Sequence, residues 1–141
     1  MSQENVEIVR SIYAAWERGD WSPIEWAHPE IQWVSADGPS PGTWTGLAGM
    51  AEGWREWLSA WEEFTIEVDE YRALDDQRVL VLNHVSGGRG RTSGLDLGQM
   101  GPKGAALFHF RKGKVTRFVF YWDRERALAD LGIASDGRVR E

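Results

Sequence analysis

The spacing of the apolar residues changes once along this 141-residue chain, and that change constrains the fold more than any other feature. Up to residue 61, most apolar residues recur at intervals of three and four, which is typical of helices with one buried face. From Phe64 onward the interval is two, which is typical of strands. Helices followed by a run of strands predict an α+β domain and not alternating βαβ units.

Three helices are predicted in the N-terminal half of the chain. The first carries an apolar stripe over residues 6–16, and Gly19 ends it. The second is short. Ser22 caps it, and it ends before Pro29, because the residue that precedes a proline avoids the helical conformation. The third, over residues 47–61, has a face rich in tryptophan.

Five strands are predicted, at residues 31–35, 64–69, 79–85, 105–111 and 115–122. The last two form a hairpin across Lys112 and Gly113. Asp123 then caps a short helix over residues 124–131, and Gly132 ends it.

Together these elements predict one α+β domain over residues 1–141, with a core of about residues 4–133. Its expected architecture is a cone-shaped, curved antiparallel sheet packed against the three helices, with a short C-terminal helix. Glycine-rich residues 87–104 fit either a disordered loop or a bulged hairpin, and the polar tail 134–141 is expected to be loose.

Charge and composition argue against several classes of function. The net charge of −6 disfavours general nucleic-acid binding, and no apolar run approaches the roughly 20 residues that span a membrane. The chain has no cysteine, no histidine pair at metal-ligand spacing and no phosphate-binding loop. Residues 1–5 are acidic and do not resemble a signal peptide. We therefore expect a cytoplasmic protein without a cofactor or metal, which binds neither nucleic acid nor membrane.

Several short motifs follow one another in an order that resembles a known family. They are Ile8 to Trp16, His28 to Trp33, Gly42 to Gly46, and Val115 to Leu128. This order resembles the SnoaL-like group of the nuclear transport factor 2-like superfamily, over about residues 4–133. The resemblance implies a hydrophobic, cone-shaped cavity, often in a homodimer. The superfamily includes steroid isomerases, polyketide cyclases, dehydratases and epoxide hydrolases, so the resemblance implies a fold and not one function.

Three residues are candidates for catalysis. Set beside the ketosteroid isomerases of this superfamily, Tyr13 takes the place of their oxyanion-hole tyrosine and Asp37 that of their general base. Their second oxyanion donor, a protonated Asp, corresponds to Phe108, and losing such a donor costs about 2.7–4 kcal/mol of transition-state stabilisation. The resemblance therefore argues against a steroid isomerase. His84 shares the predicted cavity face with Leu82 and could form an acid–base pair with Asp37, as in dehydratases of the superfamily.

Each of these residues also has a purely structural interpretation. Asp37 precedes a glycine, and Asp-Gly is a common turn dipeptide. Tyr13 lies on the apolar stripe of the first helix, where a core tyrosine with a bonded hydroxyl is common. His84 could be a histidine tied to a backbone carbonyl.

Alternation along the strands assigns side chains to two faces of the sheet. The expected ligand pocket consists of Trp16, Trp33, Trp57, Trp61, Leu82, Phe108, Phe110, Phe118, Phe120 and Trp122. Ser35 is expected to point inward with Trp33. The opposite face is expected to carry Val79, Val81, Val119 and Tyr121. Because an apolar sheet face is unfavourable in water, we expect it to pack against a second copy in a two-fold dimer.

Three functions remain open at this level. The first is binding of a small apolar molecule in an aromatic pocket. The second is an isomerase or lyase of the dehydratase or cyclase type, in which Asp37 and His84 transfer protons and Tyr13 donates a hydrogen bond. The third is a dimeric scaffold whose cavity is filled by its own tryptophan side chains.

Overall fold

Three helices and six strands make up the described residues of the computed structural model, which are 2–20, 25–37, 42–90 and 103–132. In chain order they are α1 (Ser2–Glu17), β1 (Ala27–Ser35), β2 (Gly42–Thr45), α2 (Gly46–Ala60), β3 (Trp61–Ala73), β4 (Arg78–Gly90), β5 (Lys103–Arg111), β6 (Lys114–Tyr121) and α3 (Arg124–Leu131). The predicted α+β class is confirmed. The start of the predicted short helix at Ser22, most of the glycine-rich segment and the tail lie outside the described residues.

The strands form one curved sheet in the order β2-β1-β6-β5-β4-β3. Neighbouring strands are antiparallel except β1 and β6, which run parallel and place Trp33 beside Phe118. The expectation of a purely antiparallel sheet is therefore corrected to a mixed one. β2 was not predicted, because its four residues are too short a run to show alternation.

The two faces of the sheet are covered by different helices. α1 and α2 cover the inner face, where Ile12, Met50 and Phe108 are buried in the main core. α3 covers part of the outer face, where Leu128 packs with Leu107 in a second cluster. The sheet is thus apolar on both faces, and the inner face holds most of the aromatic residues.

The helix ends follow their sequence signals. Gly19 and Gly132 both have positive φ, 80° and 68°, which suits the residue after a helix. The Asp123 carboxylate accepts a hydrogen bond from the backbone N–H of Glu125 at 3.1 Å, as an N-cap does. Trp61, predicted as the last aromatic residue of the third helix, is instead the first residue of β3.

The predicted faces of β4 are wrong and must be exchanged. Val79 lies opposite Phe108 on the inner face, and Leu80 lies opposite Leu107 on the outer face. Because side chains alternate, Leu82 belongs to the outer cluster with Leu80. Both faces of this strand are apolar, so alternation alone cannot tell which faces inward. The pairing register with β5 decides it.

None of the helices in the described part of the chain has the length and apolar character needed to span a bilayer.

Candidate ligand site in the aromatic interior

The interior is organised around a stack of three indole rings. Trp33 on β1 stacks on Trp44 of β2 with ring centroids 4.8 Å apart, and on Trp54 of α2 at 4.7 Å. α2 can approach this closely because residue 53 is glycine. A Cβ atom at Gly53 would lie 2.4 Å from the ζ3 carbon of Trp33. The stack thus fixes α2 against the end of the sheet.

Beside this stack lies a small cavity with an almost wholly aromatic lining. Its walls are Trp16, Trp33, Ser35, Trp54, Trp57, Phe64, Ile66 and Phe120. The space that the centre of a water-sized sphere can reach is about 10 Å³, which is roughly enough for one water molecule. The tryptophan side chains therefore fill most of the interior.

The Ser35 hydroxyl and the Trp33 indole N–H are two of the polar groups in these walls, which also contain other indole N–H groups. The Ser35 hydroxyl is 3.4 Å from the backbone carbonyl of Asp37, a long hydrogen bond. The indole N–H of Trp33 is buried and has no hydrogen-bond partner among the described residues. A buried N–H without a partner is costly, so an acceptor atom placed beside it would be stabilised.

Two further indole rings pack against Trp57. Trp57, which lines the cavity, lies 5.9 Å from Trp61 and 5.8 Å from Trp122, measured between ring centroids. Trp61 and Trp122 are both half-buried, whereas Trp57 is buried. We call Trp57, Trp61 and Trp122 the mouth cluster. It extends from a lining residue of the buried cavity to two half-buried positions.

Asp37 has a structural role in this arrangement. Its carboxylate accepts hydrogen bonds from the backbone N–H groups of Trp122 at 2.6 Å and Asp123 at 3.2 Å. These bonds join the end of β1 to the junction between β6 and α3. Asp37 is not among the residues that line the cavity.

Tyr13 is buried beneath α1, and its hydroxyl oxygen accepts a hydrogen bond from the side-chain amide of Asn83 at 3.0 Å. Burial raises the pKa of Tyr13 far above its ordinary value, the Asn83 hydrogen bond lowers it, and the nearby Tyr71 adds a small increase. The hydroxyl therefore stays protonated at neutral pH. It does not line the aromatic cavity.

His84 does not face the aromatic cavity, which corrects its predicted placement. Its Nδ1 lies 2.9 Å from the Asp69 carboxylate and its Nε2 lies 3.1 Å from the Glu67 carboxylate, both on β3. Arg124 of α3 also binds Asp69, at 2.7 Å. Burial raises the pKa of Asp69, but hydrogen bonds from Arg124 and His84 outweigh it, so this pKa lies below its usual value.

The three candidate catalytic residues therefore have separate partners. Tyr13 and His84 both line an open surface groove of about 510 Å³ between α1 and β3, and Asp37 does not. In the described part of the chain, no group of three or more His, Asp or Glu side chains is arranged to hold a metal ion.

The predicted pocket residues fall into four sets. Four of them, Trp16, Trp33, Trp57 and Phe120, line the cavity. Phe108, Phe110 and Phe118 are in the same inner core without lining it, Trp61 and Trp122 pack beside it, and Leu82 is on the outer face. Ser35, which was expected to point inward, lines the cavity, and the pocket prediction did not include Trp54, Phe64 and Ile66. Trp54 shares the helical spacing of Trp57, which was assigned to the pocket, so its signal was present. Phe64 and Ile66 alternate along their strand, but neither face of the strand predicted at residues 64–69 was assigned to the pocket.

Comparison with known proteins identifies the fold. The model of the SnoaL-like domain matches residues 9–118. An NTF2-like protein from Burkholderia pseudomallei superposes with a TM-score of 0.74 at 22% identity, over 89% of this chain and 95% of that one. A candidate polyketide cyclase from Xanthomonas campestris superposes with a TM-score of 0.65 at 23% identity, over 91% of this chain and 96% of that one.

A protein of ketosteroid isomerase-like fold from Catenulispora acidiphila, in complex with trimethylamine, gives a TM-score of 0.67 at 17% identity, over 92% of this chain and 95% of that one. At these identities the likeness establishes the fold alone. No curated protein matches the chain.

Proposed function

Because this chain belongs to the SnoaL-like family, in which the fold does not fix the activity, we propose from its site that it binds a small apolar molecule in the aromatic interior. The observation that carries this proposal is the lining of the cavity. It is aromatic apart from Ile66 and Ser35. Such a lining, with a few polar groups to orient the ligand, is typical of small-molecule sites.

The small volume of the cavity means that a side chain must move when a ligand binds. About 10 Å³ is too little for an organic molecule, so a ligand must displace an indole wall. Trp57 is suited to this movement, because it belongs both to the cavity lining and to the mouth cluster. The Trp33 N–H would then donate to an acceptor atom of the ligand. The structural neighbour that holds trimethylamine supports small-molecule binding by this fold.

The test is a screen of small neutral aromatic molecules, such as indole and quinoline, by quenching of tryptophan fluorescence and by calorimetry. Ser35→Leu should fill the cavity and weaken binding at least about tenfold, because the extra methyl groups occupy the ligand's space. Ser59→Leu, on an exposed position of α2, is the matched control and should bind like the wild type. If no molecule binds, or if Ser35→Leu binds equally well, the proposal is wrong and the self-filled scaffold is favoured.

A second candidate, proton-transfer catalysis of the isomerase or lyase type, is favoured by one observation. Tyr13 and His84 line the same open groove, and Asp69 already orients His84. The test is exchange of α-protons of a simple enolisable ketone in D₂O, followed by NMR. Catalysis in this groove predicts exchange that is lost in His84→Gln and in Tyr13→Phe. Exchange at the buffer rate in wild-type protein contradicts it.

We also propose that the protein is a cytoplasmic homodimer that pairs through the outer face of the sheet. Val119 and Tyr121 lie on that face as expected, but its β4 residues are Leu80 and Leu82, and α3 covers part of it. An open groove of about 500 Å³ remains there, lined in part by Val34 and Val119. A second copy could bury this groove.

A further inference from the structure

Two indoles of the mouth cluster lie farther apart than the stacked indoles of the interior. Trp61 and Trp122 are nearly parallel, with an interplanar angle of 22°, and their ring centroids are 6.5 Å apart. The interior pairs of similar orientation, Trp33 with Trp44 and with Trp54, are only 4.8 and 4.7 Å apart. A third ring between two parallel rings needs a plane-to-plane separation of about 7 Å, twice the ~3.5 Å contact distance between carbon atoms. The 6.5 Å between centroids is the upper limit of that separation here, so Trp61 and Trp122 must move apart for a third ring to enter.

The third member of the cluster lies across the other two. The plane of Trp57 is at 50° to that of Trp61 and at 69° to that of Trp122. Trp61 and Trp122 thus form two walls, and Trp57 lies transverse to both beside the cavity that it also lines. Because both walls are half-buried, their remaining surface is accessible from solvent.

The backbone is hydrogen-bonded at one wall and irregular next to the other. Trp122 is fixed, because the Asp37 carboxylate binds its backbone N–H at 2.6 Å. Trp61 stands where α2 passes directly into β3, and Glu63 just beyond it has a left-handed φ of 52°. The pairing of β3 with β4 also shifts register between Glu62 and Thr65. Irregularities of this kind re-aim side chains, so this junction sets the direction in which the Trp61 ring points.

The charge of the site favours a cation. Indole faces have negative potential and attract cations, tryptophan most strongly of the aromatic residues. The Asp37 carboxylate lies against the backbone of one wall, and Glu62 and Glu63 follow the other, where Arg89 is the strand partner of Glu62. The whole chain has a net charge of −6. These charges would repel an anionic ring and attract a cationic one.

We propose that a planar aromatic cation binds between Trp61 and Trp122, with Trp57 transverse to it at the inner side. This inference rests on the proposed function, since it assigns the charged, flat part of the ligand to the mouth and its apolar remainder to the interior. Stacking against two indoles makes the site selective for flat rings, and the local carboxylates make it selective for positive charge.

The experiment compares three probes on the full chain at pH 8 by calorimetry and tryptophan fluorescence. They are N-methylquinolinium, a planar cation; quinoline, its neutral counterpart; and tetramethylammonium, a cation without a ring. We expect N-methylquinolinium to bind tightest and tetramethylammonium weakest. Trp61→Leu and Trp122→Leu should each raise the dissociation constant of N-methylquinolinium about tenfold, and the control Tyr71→Leu, at another half-buried aromatic position of β3, should not.

The inference is overturned if tetramethylammonium and N-methylquinolinium bind equally well. It is also overturned if N-methylquinolinium binding is unchanged in both Trp61→Leu and Trp122→Leu. If a leucine variant does not fold, the indole N–H signals of Trp61 and Trp122 in wild-type protein decide, because N-methylquinolinium should shift both. Ser35→Leu separates the two proposals. If Ser35→Leu abolishes quinoline binding while the Trp61 and Trp122 variants have no effect, the proposed function stands and the site between the two indoles is rejected. If N-methylquinolinium binding needs Trp61 but tolerates Ser35→Leu, the site between the indoles stands and the proposed function is rejected.

Discussion

The carboxylate of Asp37 joins the end of β1 to the junction of β6 and α3 through two backbone N–H groups. Asp37→Asn replaces one of the two acceptor oxygens with an NH₂ group, which then faces a backbone N–H donor and cannot accept its hydrogen bond. Because hydrogen bonds to a charged group contribute about 1.5–3 kcal/mol each, we expect the free energy of unfolding to fall by about 1–3 kcal/mol. Urea unfolding measures it. Asp76→Asn, at an exposed turn position, is the control, and an equal effect of both changes would contradict this role.

Tyr13 provides a second prediction, because burial raises its pKa above the value of about 10 that it has in the unfolded chain. Its contribution to stability is complete below pH 10. Above that pH the unfolded chain loses the proton first, so stability falls by up to about 1.4 kcal/mol per pH unit. Tyr13→Phe removes this dependence, and at pH 7 it costs about 1–3 kcal/mol by leaving the Asn83 amide unpaired. The prediction would be contradicted if the free energy of unfolding fell equally steeply with pH above 10 in the wild type and in Tyr13→Phe.

The roles of these two residues were only partly predictable from sequence. The Asp-Gly dipeptide indicated a local turn, and the apolar stripe of α1 indicated that Tyr13 is buried. The partners could not be predicted, because Trp122 and Asn83 are far from them in the chain and reach them only through strand register.

At the scale of elements, two glycines of α2 form a matched pair. A Cβ at Gly53 would lie 2.4 Å from Trp33, whereas a Cβ at Gly49 would have its nearest neighbour at 3.6 Å, an ordinary contact. In a helix interior, Gly→Ala normally stabilises by about 1 kcal/mol. We therefore expect Gly49→Ala to raise the thermal midpoint and Gly53→Ala to lower it, because the indole stack must move. Equal shifts of the two midpoints would show that α2 is not held by that stack.

The sequence indicated the type of most elements but not how they pair. Periodicity predicted α1, α2 and the β5–β6 hairpin, because each has a distinct interval of three to four or of two. Asp123 and Gly132 predicted α3 by its two ends. It placed His84 and Leu82 on the inner face of β4, where neither lies, because both faces of that strand are apolar. The parallel pairing of β1 with β6 also has no local signal, since it joins segments separated by most of the chain.

At the scale of the whole molecule, the proposed dimer can be tested on the outer face of the sheet. Val34 on β1 is half-buried and lines the groove that a second copy would cover. Val34→Glu would place a charge in that interface, so we expect a dimer to become a monomer by light scattering coupled to size exclusion. Ser59→Glu, on α2 at the other side of the sheet, should leave the mass unchanged. A wild-type monomer at high concentration would contradict the dimer.

The parallel pairing of β1 with β6 has a consequence for how the chain folds during synthesis. β1 and β2 leave the ribosome early, but the strand that completes their side of the sheet, β6, is among the last elements to emerge. Until then the indole of Trp33 can stack on Trp44 and Trp54 but lacks its neighbour Phe118. The β3–β4 and β5–β6 pairs can form from contacts closer in sequence. We therefore expect the aromatic interior to be completed only after β6 has been synthesised and pairs with β1.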